Sequence, residues 1–127
     1  MKKVIIITGA SRGIGAATAR LAVQQGYAVC VNYLRDIDAA NHVVDGSVQV
    51  GGSAIAVAAD VSSEADVTRI FATVDQSLGR VDALVNNAAI NAVQMRVESM
   101  DAERLARVFA VNVTGSFLSA SSSIFLR

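Results

Sequence analysis

Apolar and polar positions fall into blocks along the chain, and the period of the blocks changes. Lys3 to Thr8 carries Val4-Ile5-Ile6-Ile7, a short β-branched run that predicts a first strand. Gly9 to Gly15 is glycine-rich. Ile14 to Gln25 then reads as a helix, with Ile14, Ala17, Leu21 and Ala22 on its inward face and Gly26 as its stop. Ala28 to Asn32 predicts a second strand. Asp36 to about Val50 predicts a second helix with Ala40, Val43 and Val44 inward. Asp45-Gly46 within it is also a turn signal, since Gly inside a helix costs about 1 kcal/mol.

Gly51-Gly52 closes that segment, and Ala54 to Ala59 predicts a third strand. Ser62 or Ser63 can cap a third helix, in which Val67, Ile70, Phe71, Val74 and Leu78 make an apolar stripe of helical period ending at Gly79. Asp82 to Asn86 predicts a fourth strand. After a loop, Asp101 can cap a long helix that runs to about Phe117 or beyond. The strands are almost wholly apolar rather than alternating, so both of their faces are expected to be covered. Strand and helix in this alternation predict right-handed crossovers and a parallel α/β sheet. From about Ser119 the composition changes, with Ser119-Ala120-Ser121-Ser122-Ser123 rich in mediocre helix formers.

Composition narrows the function. The 127 residues are 53% hydrophobic and 17% charged, enough for one domain with a core. Eleven Lys+Arg balance eleven Asp+Glu, which leaves no basic footprint for nucleic acid. A single cysteine, Cys30, excludes an intrachain disulfide, and a single histidine, His42, excludes two-His metal motifs. Cys30 reads as a small core residue and His42 as a surface one. No apolar run reaches the length of a membrane span. The opening Met1-Lys2-Lys3 mimics a signal peptide only until Thr8-Gly9 interrupts it, so a cytoplasmic protein is expected.

The strongest chemical signal is Thr8-Gly9-Ala10-Ser11-Arg12-Gly13-Ile14-Gly15, between the first strand and the first helix. A dinucleotide pyrophosphate binds at that position in doubly wound sheets. Glycines let the backbone approach the phosphates, and the free N–H groups and dipole of the helix attract their charge. The spacing is Gly-x3-Gly-x-Gly. It resembles the Thr-Gly-x3-Gly-x-Gly signature of the short-chain dehydrogenase/reductase family. Asp60-Val61 after the third strand, Asn86-Asn87-Ala88-Ala89 after the fourth and Asn112 in the long helix match further family positions in order. The resemblance runs from Met1 to about Ala120, and looks closest to bacterial sugar and 3-oxoacyl-carrier reductases.

The resemblance implies a Rossmann-type doubly wound sheet binding NAD(H) or NADP(H). Gly9, Ser11, Arg12, Gly13, Ile14 and Gly15 would line the phosphates and ribose. Asp60 and Val61 would contact the adenine. Asn87, Ala88 and Ala89 would pass beneath its ribose, with Ala89 standing where the family usually has Gly. NAD selectivity uses a carboxylate near the end of the second strand, whereas an arginine favours NADP. That strand ends Val31-Asn32-Tyr33, and Arg12 and Arg35 can both pair with a phosphate. Asp36 is the competing carboxylate but suits a helix cap. NADP is therefore expected, with NAD open.

Asn112 shares a helical face with Leu105, Val108 and Phe109. A polar amide on such a stripe must find partners. Spacing alone suits a structural core amide; the resemblance implies a helper that holds a water in the proton relay. The family's acid/base pair is Tyr-x3-Lys. The chain has only Tyr27 and Tyr33, neither followed by lysine at the fourth position, and its lysines are Lys2 and Lys3. Ser121-Ser122-Ser123 does not suit a catalytic serine, because no fifth strand precedes it. The expectation is an incomplete Rossmann domain over residues 1–127, truncated after about four strands, with a divergent tail from about 119. In a 3-2-1-4-5-6 order its fourth strand would become an apolar edge. Hydride transfer on a small carbonyl or alcohol describes the lineage, and the chain alone is expected to be inactive. A non-catalytic dinucleotide-binding fragment and an inert truncated product are the alternatives. No nucleic-acid or membrane partner is expected, and self-association would use the 101–120 helix.

Overall fold

The computed structural model describes residues 2–90 and 96–125. Met1, residues 91–95 in the loop after the fourth strand and residues 126–127 of the serine-rich tail lie outside the described residues. Four strands, β1 (Val4–Ile7), β2 (Ala28–Tyr33), β3 (Ser53–Ala58) and β4 (Val81–Val85), alternate with α1 (Gly13–Gln24), α2 (Ile37–Gln49) and α3 (Glu64–Ser77). The sheet is parallel throughout, in the order β3-β2-β1-β4. This is a Rossmann-type doubly wound arrangement, as the block pattern predicts.

β1 explains why its sequence shows no alternation. Ile5 and Ile7 join Val29, Val31 and the inner residues of α1 and α2 on one face. Val4 and Ile6 join Cys30, Ile70, Phe71 and Val74 on the other. Side chains still alternate with period two, but both faces are covered, so every position is apolar. Cys30 is wholly buried, and that burial pushes its thiol up to about 12. It is a core residue with no thiolate chemistry.

α3 follows its sequence. Ser63 caps it by accepting from the Asp66 N–H, and Val67, Ile70, Phe71 and Val74 are buried. Asp36 caps α2 in the same way, accepting from the Ala39 N–H at 3.0 Å. α2 runs straight through Asp45-Gly46, because Ala40, Val43 and Ser47 pack inward and hold it together.

The inward face of α1 differs from expectation. Ile14, Ala17 and Leu21 point outward, with Ile14 80% and Leu21 56% exposed; Ala22 alone of the predicted set is buried. Gly15, Ala16, Ala19, Ala22 and Val23 face the sheet instead. The helix lies too close for larger groups. A Cβ on Gly15 would stand 2.5 Å from the Asn87 amide nitrogen and 2.5 Å from the Gly9 carbonyl. Steric room selects the small residues over the more hydrophobic ones.

The long helix also departs from a simple reading. Asp101 caps it, its carboxylate accepting from the Arg104 N–H at 2.8 Å. It comprises α4 (Ala102–Phe109), a π-helical stretch Ala110–Thr114 and α5 (Gly115–Phe125). Leu105 and Phe109 are exposed, whereas Val111, Gly115 and Ser119 are buried. The serine-rich stretch continues as helix rather than breaking it.

Candidate dinucleotide site

A cleft of about 530 Å³ opens beyond the carboxyl ends of the strands, where open α/β sheets bind ligands. The glycine loop forms one wall, with Gly9, Ser11, Arg12, Gly13 and Ile14 lining it. Gly9 and Gly13 sit at φ 61° and 60°, in the left-handed region. A side chain at Gly9 would also press within 2.8 Å of the Ala88 Cα. Gly15 lies buried just under this wall rather than in it.

The start of α1 fits an anion. No side chain caps it, and its first turn contains no acidic residue. The first intrahelical bond begins at the Ala16 N–H, which leaves the N–H groups of Gly13 and Ile14 without a protein acceptor among the described residues. These donors, with the positive end of the helix dipole, suit a pyrophosphate. Arg12 is exposed and makes no ion pair among the described residues.

The opposite wall is tied to the loop by Thr8 and Asn87. The Thr8 Oγ1 accepts from the N–H groups of Asn87 and Ala88, both at 3.0 Å. The Asn87 amide donates to the carbonyls of Thr8 and Gly9 at 3.1 and 2.9 Å. Asn87, Ala88 and Ala89 all reach the cleft. Polar residues at the ends of two buried strands thus satisfy each other rather than solvent.

Asp60 and Val61 line the third side. The Asp60 carboxylate accepts from the Ser62 hydroxyl at 2.6 Å and the Ser62 N–H at 2.9 Å, and Arg107 of α4 lies 3.5 Å away. The Ser62 hydroxyl, more than burial opposes it, holds the Asp60 carboxyl below its usual value, with Ser62 N–H and Arg107 adding to the effect. Asp60 is therefore an anion that shapes this wall.

Asn112 sits in the π turn and pairs with Ile90 at both ends of its amide. Its oxygen accepts from the Ile90 N–H at 2.8 Å, and its nitrogen donates to the Ile90 carbonyl at 3.1 Å. The side-chain amide is thus committed to Ile90, which itself lines the cleft. Arg35 is exposed and falls one residue past Leu34, the last cleft residue on that side.

Sequence reasoning overlooked several lining residues. Asn32, Tyr33, Leu34, Ala59, Ile90 and Val111 all face the cleft. Asn32 was legible as a polar residue in an apolar strand. The others carry no signal beyond their hydrophobicity. No group of three or more His, Cys, Asp or Glu side chains could hold a metal among the described residues. No helix there is long and apolar enough to cross a membrane.

Fold and cleft together define an α/β protein of the doubly wound, Rossmann-type class. Residues 3–124 match the short chain dehydrogenase family, and the chain belongs to it. It is 45% identical over 121 residues to an uncharacterized oxidoreductase of Escherichia coli, covering 95% of this chain and 49% of that protein. It is 40% identical over 120 residues to a 3-oxoacyl-[acyl-carrier-protein] reductase of Synechocystis, covering 91% of this chain and 47% of that one. A dehydrogenase/reductase from Sinorhizobium meliloti superimposes with a TM-score of 0.94 at 32% identity, over 98% of this chain and 49% of the other. The chain spans about half the length of the relatives it matches.

Proposed function

We propose that these residues form the dinucleotide-binding half of an NADP(H)-dependent short-chain oxidoreductase acting on a small carbonyl or alcohol. The carrying observation is the uncapped start of α1, whose free N–H groups face a cleft of sufficient volume. Gly9, Ser11, Gly13, Ile14 and the buried Gly15 shape the phosphate cradle. Asp60 and Val61 bound the adenine, and Asn87, Ala88 and Ala89 support its ribose. The bound cofactor supplies the hydride. Asn112 acts as a positioning residue, fixing the Ile90 segment through both peptide groups.

Three features favour NADP. β2 ends at Asn32-Tyr33 and is followed by Leu34, with no carboxylate. Asp36, the nearest acid, is spent as the cap of α2. Arg12 and Arg35 are exposed without ion pairs among the described residues, free to take a 2′-phosphate. Within these 127 residues no tyrosine is followed by lysine at the fourth position, so the chain by itself is proposed to bind without turning over.

Titration of the purified chain with NADPH and NADH tests this. The expected result is saturable binding of both with NADPH tighter, and a ratio that collapses toward unity in Arg12→Ala. No saturable binding of either, or an unchanged ratio in the variant, overturns the corresponding part. Reduction of a carbonyl panel by the chain alone would overturn the inactivity.

A further inference from the structure

Asn32 has the most complete set of partners of any side chain around the cleft. It is 2% exposed, at the carboxyl end of β2 between β1 and β3. Its Oδ1 accepts from the Gly9 N–H at 3.1 Å. Its Nδ2 donates to the Val57 and Ala59 carbonyls at 3.2 and 3.3 Å, with the Tyr33 carbonyl at 3.5 Å. Its own carbonyl accepts from the Ala10 N–H at 2.8 Å. One residue thus joins the entry of the glycine loop to the end of β3, from which Asp60 and Val61 continue into the cleft.

We infer that Asn32 is a positioning residue for the phosphate cradle, clamping the first two N–H groups of the glycine loop so that only the later ones face the ligand. The inference rests on the dinucleotide reading above. Gly9 and Ala10 are turned back onto Asn32 and are unavailable to a phosphate. Their fixed direction sets the path into Gly13 and Ile14, whose N–H groups are free. The amide is the side chain that fits. It offers an acceptor to Gly9 and donors to two carbonyls. A carboxylate here would direct its lone pairs at the Val57 and Ala59 oxygens. Position 32 is consequently closed to the acidic residue that would grip a ribose, and any such contact must come from Tyr33 or beyond.

Because the clamp acts on Gly9 directly and reaches the adenine wall only through the end of β3, its loss weakens phosphate-bearing ligands more than adenosine. The test compares ADP, adenosine, NADPH and NADH on wild type and Asn32→Ala, at a temperature where circular dichroism shows both folded. Expected is ADP and both dinucleotides weakened about tenfold, adenosine weakened markedly less, and an unaltered NADPH/NADH ratio. A merely structural role would lower the melting temperature and leave these affinities alone, or weaken adenosine equally; either result overturns the inference. Should Asn32→Ala not fold, Asn32→Ser keeps a shorter donor and acceptor and takes the same measurements, with the same outcomes deciding. Wild type that binds neither ADP nor dinucleotide removes the dinucleotide reading itself. Wild type that binds ADP alongside a variant that binds it equally well removes only the clamp.

Discussion

The sheet with its first three helices and the helical segment 96–125 satisfy burial differently. In β1 and β2 every residue is buried, and Phe71, Ile70 and Val74 seal the lower face. In 96–125, Val97, Leu105, Phe109, Val113 and Phe117 are all exposed, with Phe117 at 74%. β4, the strand beside that segment, is only partly covered. The first region builds a continuous core across both faces of the sheet, leaving large apolar side chains such as Ile14 and Val50 exposed only on its helices and loops. The second is held to it by Val111 and Leu118 packing against the core, by the close approach of Gly115 to Val61, and by polar anchors from Asn112 to Ile90 and from Arg107 to Asp60. The walls of the proposed cofactor cleft come mainly from the sheet region, with 96–125 adding Val111 and the support of Ile90. Self-association through the 101–120 helix, expected from the sequence, would use Leu105, Phe109, Val113 and Phe117 on this face.

The largest test of this contrast pairs two phenylalanines. Phe71→Ala should cost about 3–5 kcal/mol in denaturant unfolding. Phe109→Ala, at 57% exposure, should stay within about 0.5 kcal/mol and lower self-association in sedimentation. Equal losses would show that the outer face is buried in solution. The anchors come next. Asn112→Ala leaves both Ile90 peptide groups short of a partner and should cost about 1–3 kcal/mol. Amide exchange should quicken at Ile90 and through the π turn but not in β1.

Asp60 gives the smallest effect and a pH signature. Its folded carboxyl is held below the unfolded value, so its stabilisation is present above about pH 4 and fades as the pH falls through the folded value. The melting temperatures of wild type and Asp60→Asn should therefore differ at neutral pH and converge in acid. A gap that persists unchanged at about pH 3 would mean that the carboxylate charge contributes nothing.

Reading the chain failed where two apolar patterns competed or where a residue acted at a distance. α1 offers hydrophobic positions around most of its circumference, and the larger ones mark the wrong face. Only the approach of Gly15 to Asn87 and Gly9 selects the small residues. The π turn has no signature in Ala110-Val111-Asn112-Val113-Thr114, and the stripe of Leu105, Val108, Phe109 and Asn112 did not reveal that Leu105 and Phe109 stay exposed. Thr8 and Asn32 were visible as polar residues at strand ends, but their partners lie about 25 to 80 positions away in the chain.

Local chemistry was enough for the strand–helix alternation, the caps at Asp36 and Asp101, a serine cap at Ser62 or Ser63, and the phosphate-type loop. Each depends on residues within a turn or two of one another, which the order of amino acids carries directly. Folding alone chose which face of α1 packs, where the long helix widens, and how Asn32, Asn87 and Asn112 spend their amides. Those outcomes rest on contacts between segments far apart in the chain, where steric room and the pairing of these amides outweigh local preference.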